Sequence, residues 1–126
     1  MNETELATAT RGRPRSTDLD PLEKPSKTVK AWAAGVVEGR GSLATTTVGL
    51  RFSIQMTGID GQEVLNRFKR YFGGSIAEVK FGNDYRQWRW TIYGTRILEM
   101  ANALKPFLSI GRYNELSDKN EEHENE

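Results

Sequence analysis

Glu38 and Arg40 stand two residues apart in a stretch that otherwise holds only small and apolar residues, Ala33-Ala34-Gly35-Val36-Val37-Glu38-Gly39-Arg40-Gly41. A magnesium site needs carboxylate oxygens, whereas a guanidinium offers donors and a fixed positive charge. Glu38 thus offers acceptor oxygens and Arg40 only donors with a fixed positive charge. A second group lies on strand-like alternations. Arg51, Ser53, Gln55 and Thr57 alternate with Leu50, Phe52, Ile54 and Met56, and further on come Glu78, Lys80, Gln87 and Arg89. Arg, Gln and Ser are types that match base edges in the major groove, though any exposed strand face contains some of them. The lone His123 sits in an acidic run and is a poor ligand or general base, and the absence of cysteine excludes disulfides and Cys-based zinc sites.

The elements that must position these groups can be read from periodicity. Val29, Trp32, Ala33, Val36 and Val37 form one apolar stripe at helical spacing, with Ser26 or Thr28 as N-cap. Gly35 and Gly39 lie on one face, and with Ala34 they leave a bare surface on which a second helix can pack closely. Each such glycine costs about 1 kcal/mol relative to Ala, a cost that close packing would offset. An ordinary buried helix with Gly41 as C-cap is the alternative reading of the same residues. Residues 42–48 and 50–57 then make a hairpin, Asp60 caps a helix over about 61–72, and Gly73-Gly74 stops it. A second hairpin, residues 75–81 and 86–93, turns at Gly82-Asn83-Asp84, with Trp88, Trp90 and Ile92 toward the core. A third helix over about 95–104 carries Ile97, Leu98, Met100, Ala101 and Leu104, and Pro106 ends it or starts a short extension. The order α-β-β-α-β-β-α predicts an α+β fold, a four-stranded antiparallel sheet with helices on one face and a polar face left open.

The chain has 126 residues and a net charge of +1, which conceals an asymmetry. Residues 31–113 carry eleven basic and six acidic groups, and residues 114–126 one and six. A basic body favours a polyanion partner, with a solvated face as the bland alternative. Residues 1–26 hold three of the four prolines and few apolar groups and read as a disordered tail, 27–113 as the folded domain, and 114–126 as an acidic disordered tail. No signal peptide or membrane-spanning run is evident, so the expected location is cytoplasmic, or nucleoid-associated, nuclear or organellar. Within the first tail, Arg11-Gly12-Arg13-Pro14-Arg15 looks like the core of an AT-hook, whose arginines enter the minor groove; a basic linker or an expression remnant fits the same five residues.

The stretch from Ala33 to Gly41 resembles the signature helix of the LAGLIDADG homing endonucleases. Eight of the nine places of that motif are kept in type, and Arg40 replaces the second acid, the metal ligand of active members. The resemblance extends over Thr28 to Arg112, through Leu50-Arg51-Phe52-Ser53-Ile54-Gln55-Met56-Thr57, Trp90-Thr91-Ile92-Tyr93-Gly94 and Leu104-Lys105-Pro106-Phe107-Leu108. It implies a single-motif homodimer whose signature helices pair through Trp32, Gly35, Val36 and Gly39 and whose sheets form a saddle on double-stranded DNA. Arg51, Ser53, Gln55, Thr57, Glu78, Lys80, Gln87 and Arg89 become the implied DNA readers, with Arg40, Arg112 and the arginines 11, 13 and 15 as further contacts. The first hairpin is short for the family, which implies a smaller footprint.

Cleavage in the family uses the acid at the end of each signature helix to hold a divalent cation against the scissile phosphate. Arg40 would repel that ion, and the places where Lys or Gln assists hold Gly58 and Gly111, with Arg112 beside the latter. Glu38, the motif's first acid, supports the helix end in the family, which leaves it a weak candidate for the metal, and Arg40, at the place of the scissile phosphates, becomes a candidate contact for their oxygens. The resemblance thus implies a sequence-selective, catalytically inactive DNA-binding protein that needs no cofactor. Two alternatives remain: a magnesium-dependent endonuclease, natural or with Arg40 as an engineered substitution, and a protein-interaction module on the same sheet.

Overall fold

The computed structural model describes residues 19–79 and 86–125, with side chains as far as residue 118. Ser26 begins the first helix, α1 (Lys27–Arg40), by accepting a hydrogen bond from the Val29 N–H at 3.2 Å. Its core face is Ala33, Ala34 and Val37, all buried. Ala34 therefore belongs to the chain's own core and not to the bare face expected from sequence. The helix ends as Gly41 turns extended, at φ −73° and ψ 145°. Gly41 is required by close approach: a Cβ there would collide with the Phe52 ring and stand 2.7 Å from the Val37 carbonyl oxygen.

Strands β1 (Gly41–Thr46) and β2 (Gly49–Thr57) form the first hairpin, and β3 (Ser75–Val79) and β4 (Gln87–Tyr93) the second. All pair antiparallel in the order β1-β2-β4-β3. One face presents Leu50, Phe52, Ile54, Trp90 and Ile92 to the helices, buried throughout. At the centre Phe68 lies 5.0 Å from Trp90, 5.2 Å from Trp32 and 5.7 Å from Phe72 between ring centroids. The Trp90 indole N–H, which would be costly to bury unpaired, donates to the Gly73 carbonyl at 2.7 Å.

Helix α2 (Gly58–Phe72) connects the hairpins. It starts earlier than the sequence suggests. Thr57 stands at the cap without a side-chain bond, and Asp60 lies inside the first turn, where its charge suits the positive end of the helix dipole. Gly73 and Gly74, at φ +77° and +91°, end it as expected. Helix α3 (Thr95–Leu104) buries Ile97, Met100, Ala101 and Leu104, and a 3-10 turn (Lys105–Phe107) leads into α4 (Ile110–Asn125).

Both presumed tails are partly structured. Leu19 accepts from the Gly74 N–H at 2.8 Å, the Leu22 N–H donates to the Arg70 carbonyl at 2.8 Å, and Asp20 pairs with Arg96. The segment after Tyr113 is helical as far as Asn125, with Leu116 fully buried and Ser117 donating to the Tyr113 carbonyl at 2.9 Å. Acidic composition conceals this helix because one leucine and the first two turns anchor it. Among the described residues no helix is long and apolar enough to cross a membrane.

Candidate nucleic-acid interface

The face of the sheet turned away from the helices is built by strand register. Paired residues of antiparallel strands share a face, so the pairing sorts every side chain. One row holds Ala44, Arg51 and Tyr93; the next holds four hydroxyls, Ser42, Ser53, Thr91 and Ser75. A third row holds Gln55, Arg89 and Ala77, and a fourth Thr57, Gln87 and Val79. Arg51, Ser53, Gln55, Thr57, Gln87 and Arg89 thus come together as expected. Ser42, Ser75, Thr91 and Tyr93 join them. The alternation along β4 already puts Thr91 and Tyr93 opposite the tryptophans, but Ser42 and Ser75 follow only from register.

Glu78 is not among them. It pairs with Trp88 on the helix side of the sheet edge and makes a long ion pair with Arg86 at 3.8 Å. Lys80 and the arginines at 11, 13 and 15 lie outside the described residues.

Where the end of α1 meets the sheet, a cavity of about 390 Å³ opens, lined by Gly39, Arg40, Gly41, Ser42, Arg51, Ser53, Gln55 and Arg89. Three arginines line it and no carboxylate does. Arg51 carries a buried Nε with no hydrogen-bond partner, an orphan that an incoming acceptor would satisfy. Arg89 is held in place: its Nε and Nη2 donate to Gln55 Oε1 at 3.3 and 2.9 Å, and Gln55 Nε2 donates to Gln87 Oε1 at 2.6 Å.

The other two charged candidates turn away from this cavity. Glu38 accepts from both the backbone N–H and the hydroxyl of Ser109, the residue before α4, while the Ser109 hydroxyl accepts from the Arg112 N–H at 3.2 Å. Arg112 is engaged within the chain. Its Nη2 donates to the carbonyls of Val37 and Gly41 at 2.9 and 2.6 Å, its Nη1 pairs with Glu115, and its guanidinium lies 5.9 Å over the Phe52 ring. The Val37 carbonyl also accepts from the Gly41 N–H, and the partial negative charge at a helix C-terminus favours a cation beside it.

A scan against protein-family models finds no match for this chain, and a search of curated proteins finds none either. Solved structures do match. I-CvuI, a homing endonuclease in complex with its target in the presence of Ca, aligns at TM-score 0.51 and 16% identity over 76% of this chain and 68% of its own. I-SmaMI, a LAGLIDADG homing endonuclease bound to cleaved DNA, aligns at TM-score 0.52 and 21% identity over 94% of this chain and 42% of its own. A variant of I-SmaMI aligns at TM-score 0.55 and 19% identity, again over 94% of this chain and 43% of that one. The chain has the LAGLIDADG homing-endonuclease fold. It spans less than half the length of I-SmaMI.

No carboxylate lines the cavity, Glu38 is spent on Ser109, and no group of three or more His, Cys, Asp or Glu among the described residues is placed to hold an ion. The donor set does not fit magnesium. On the outer face of α1, a Cβ added at Gly35 or Gly39 would meet nothing within 4 Å. Trp32 and Val36, expected beside them, pack partly against the core, and Arg67 lies 5.8 Å over the Trp32 ring.

Proposed function

We propose that this chain binds double-stranded DNA with the polar face of its sheet, selects sequence there, and does not cut. The observation that carries this reading is the cavity at the end of α1, which joins Arg40 to Arg51 and Arg89 with no acid among its lining residues. Such a concavity suits phosphate and base acceptors and repels a divalent cation. The solved neighbours support DNA as the partner, since I-CvuI is found with its target and I-SmaMI with cleaved DNA. Arg40 stands where the family resemblance puts the metal-binding acid, and Glu38 is engaged elsewhere. Two copies pair through the open face of α1 around Gly35 and Gly39, which brings two sheets into one saddle.

The test is a selection from a random duplex pool with magnesium present, run on the chain and on Arg40→Glu. The chain is expected to enrich a defined site and leave both strands intact. Cleavage by the unsubstituted chain would overturn the non-cutting reading, and a failure to select any DNA would overturn the DNA reading itself. Arg40→Glu separates a scaffold disabled at one residue, in which case the variant cuts, from a deeper loss, in which case it binds the same site and stays inert.

A further inference from the structure

The hydrogen bonds linking Arg89, Gln55 and Gln87 run in one direction, and chemistry sets it. A guanidinium has donors only, so Gln55 must offer Arg89 its amide oxygen, which takes both the Nε and Nη2 donors. The Gln55 amino group is thereby turned to Gln87 and occupies the oxygen of that amide in turn. The Gln55 oxygen, with two donors on it, is filled inside the sheet, while the Gln87 oxygen keeps one lone pair. The Arg89 Nη1 and the Gln87 amino group take no part in these bonds and remain as donors. Across from Arg89, β3 carries only the exposed Ala77, so no bulky side chain from that strand covers it.

Resting on the DNA-binding reading above, we infer that this row reads guanine in the major groove. Arg89 contacts the base, and Gln55 and Gln87 are positioning residues. Guanine presents two adjacent acceptors, N7 and O6; adenine and cytosine each present an amino donor, for which neither Arg89 nor the filled Gln55 oxygen offers an acceptor, and thymine presents a single acceptor beside a methyl group. Taken alone, Gln55 would be assigned to adenine, which requires its amide oxygen as acceptor. The bonds to Arg89 remove that option.

The experiment uses the full chain and the sites it selects from a random duplex pool. A guanine is expected at a fixed position, and replacing it with 7-deazaguanine, which lacks the N7 acceptor, should weaken binding several-fold. Arg89→Ala should erase a discrimination of about 10- to 100-fold at that position. Gln55→Ala should blur the same guanine. Gln55→Glu keeps an acceptor for Arg89 and should restore the preference, a rescue that general loss of structure would not allow. Loss of an adenine preference in Gln55→Ala with the guanine preference intact would overturn the inference, as would sites indifferent to Arg89→Ala or to 7-deazaguanine. Absence of any DNA selection would overturn the proposed function together with it, whereas selective binding without guanine dependence overturns this inference alone.

Discussion

Arg112 and Glu38 tie the end of α1 to the start of α4, and each does so through backbone groups. Arg112 is largely buried and bonds the carbonyls of Val37 and Gly41. Arg112→Ala is therefore expected to cost about 1.5–3 kcal/mol, the range for hydrogen bonds to a charged group, read from denaturant unfolding. Unchanged stability with weakened DNA binding would return Arg112 to the interface that the family resemblance implies. Sequence reading misses these intrachain partners for a physical reason. The partners of Arg112 are main-chain oxygens of residues 37 and 41, which no pattern of side chains announces. Arg51 and Arg89 are legible because strict alternation of β2 and β4 fixes their face. Glu38 is legible in role, as support for a helix end, but not in partner.

Among the elements, α4 closes the core. Leu116 is fully buried, and Tyr113 bonds Asn102 on α3 at 2.8 Å while Lys105 lies 4.9 Å over its ring. A chain ending at residue 113 should lose stability comparable to Leu116→Ala, about 2–5 kcal/mol, whereas one ending at residue 118 should unfold much as the full chain does. Equal unfolding midpoints for the two truncations would mean that Leu116 contributes nothing. The strands and helices themselves are largely legible, since β2 alternates without a break and α2 and α3 keep helical spacing. Register is not. Val79 pairs with Gln87, so odd-numbered residues of β3 share the polar face, and Glu78 falls on the other side. A one-residue difference in pairing flips a whole strand.

For the molecule as a whole, the proposed function rests on a bare helix face and a cationic sheet face in one chain. Because a Cβ at Gly35 meets nothing within 4 Å in the protomer, Gly35→Leu is the substitution that probes association at this face. It is expected to keep the unfolding behaviour of a folded protomer, convert a dimer to a monomer in sedimentation, and weaken DNA binding by losing half the saddle. A dimer that survives Gly35→Leu would remove helix pairing at this face. The basic balance of residues 31–113 makes a polyanion partner legible from composition alone, but the joining of Arg40 with Arg51 and Arg89 is a product of the turn at Gly41, visible only once α1 and the sheet are in place. DNA binding by the arginine-lined sheet face is tested most sharply by the affinity of the chain for its selected duplex as a function of salt. If Arg40 and Arg51 from each of two copies neutralise phosphates, the logarithm of the association constant should fall linearly with the logarithm of salt, with a slope of about −4. A slope near zero, or no measurable binding at low salt, would contradict it.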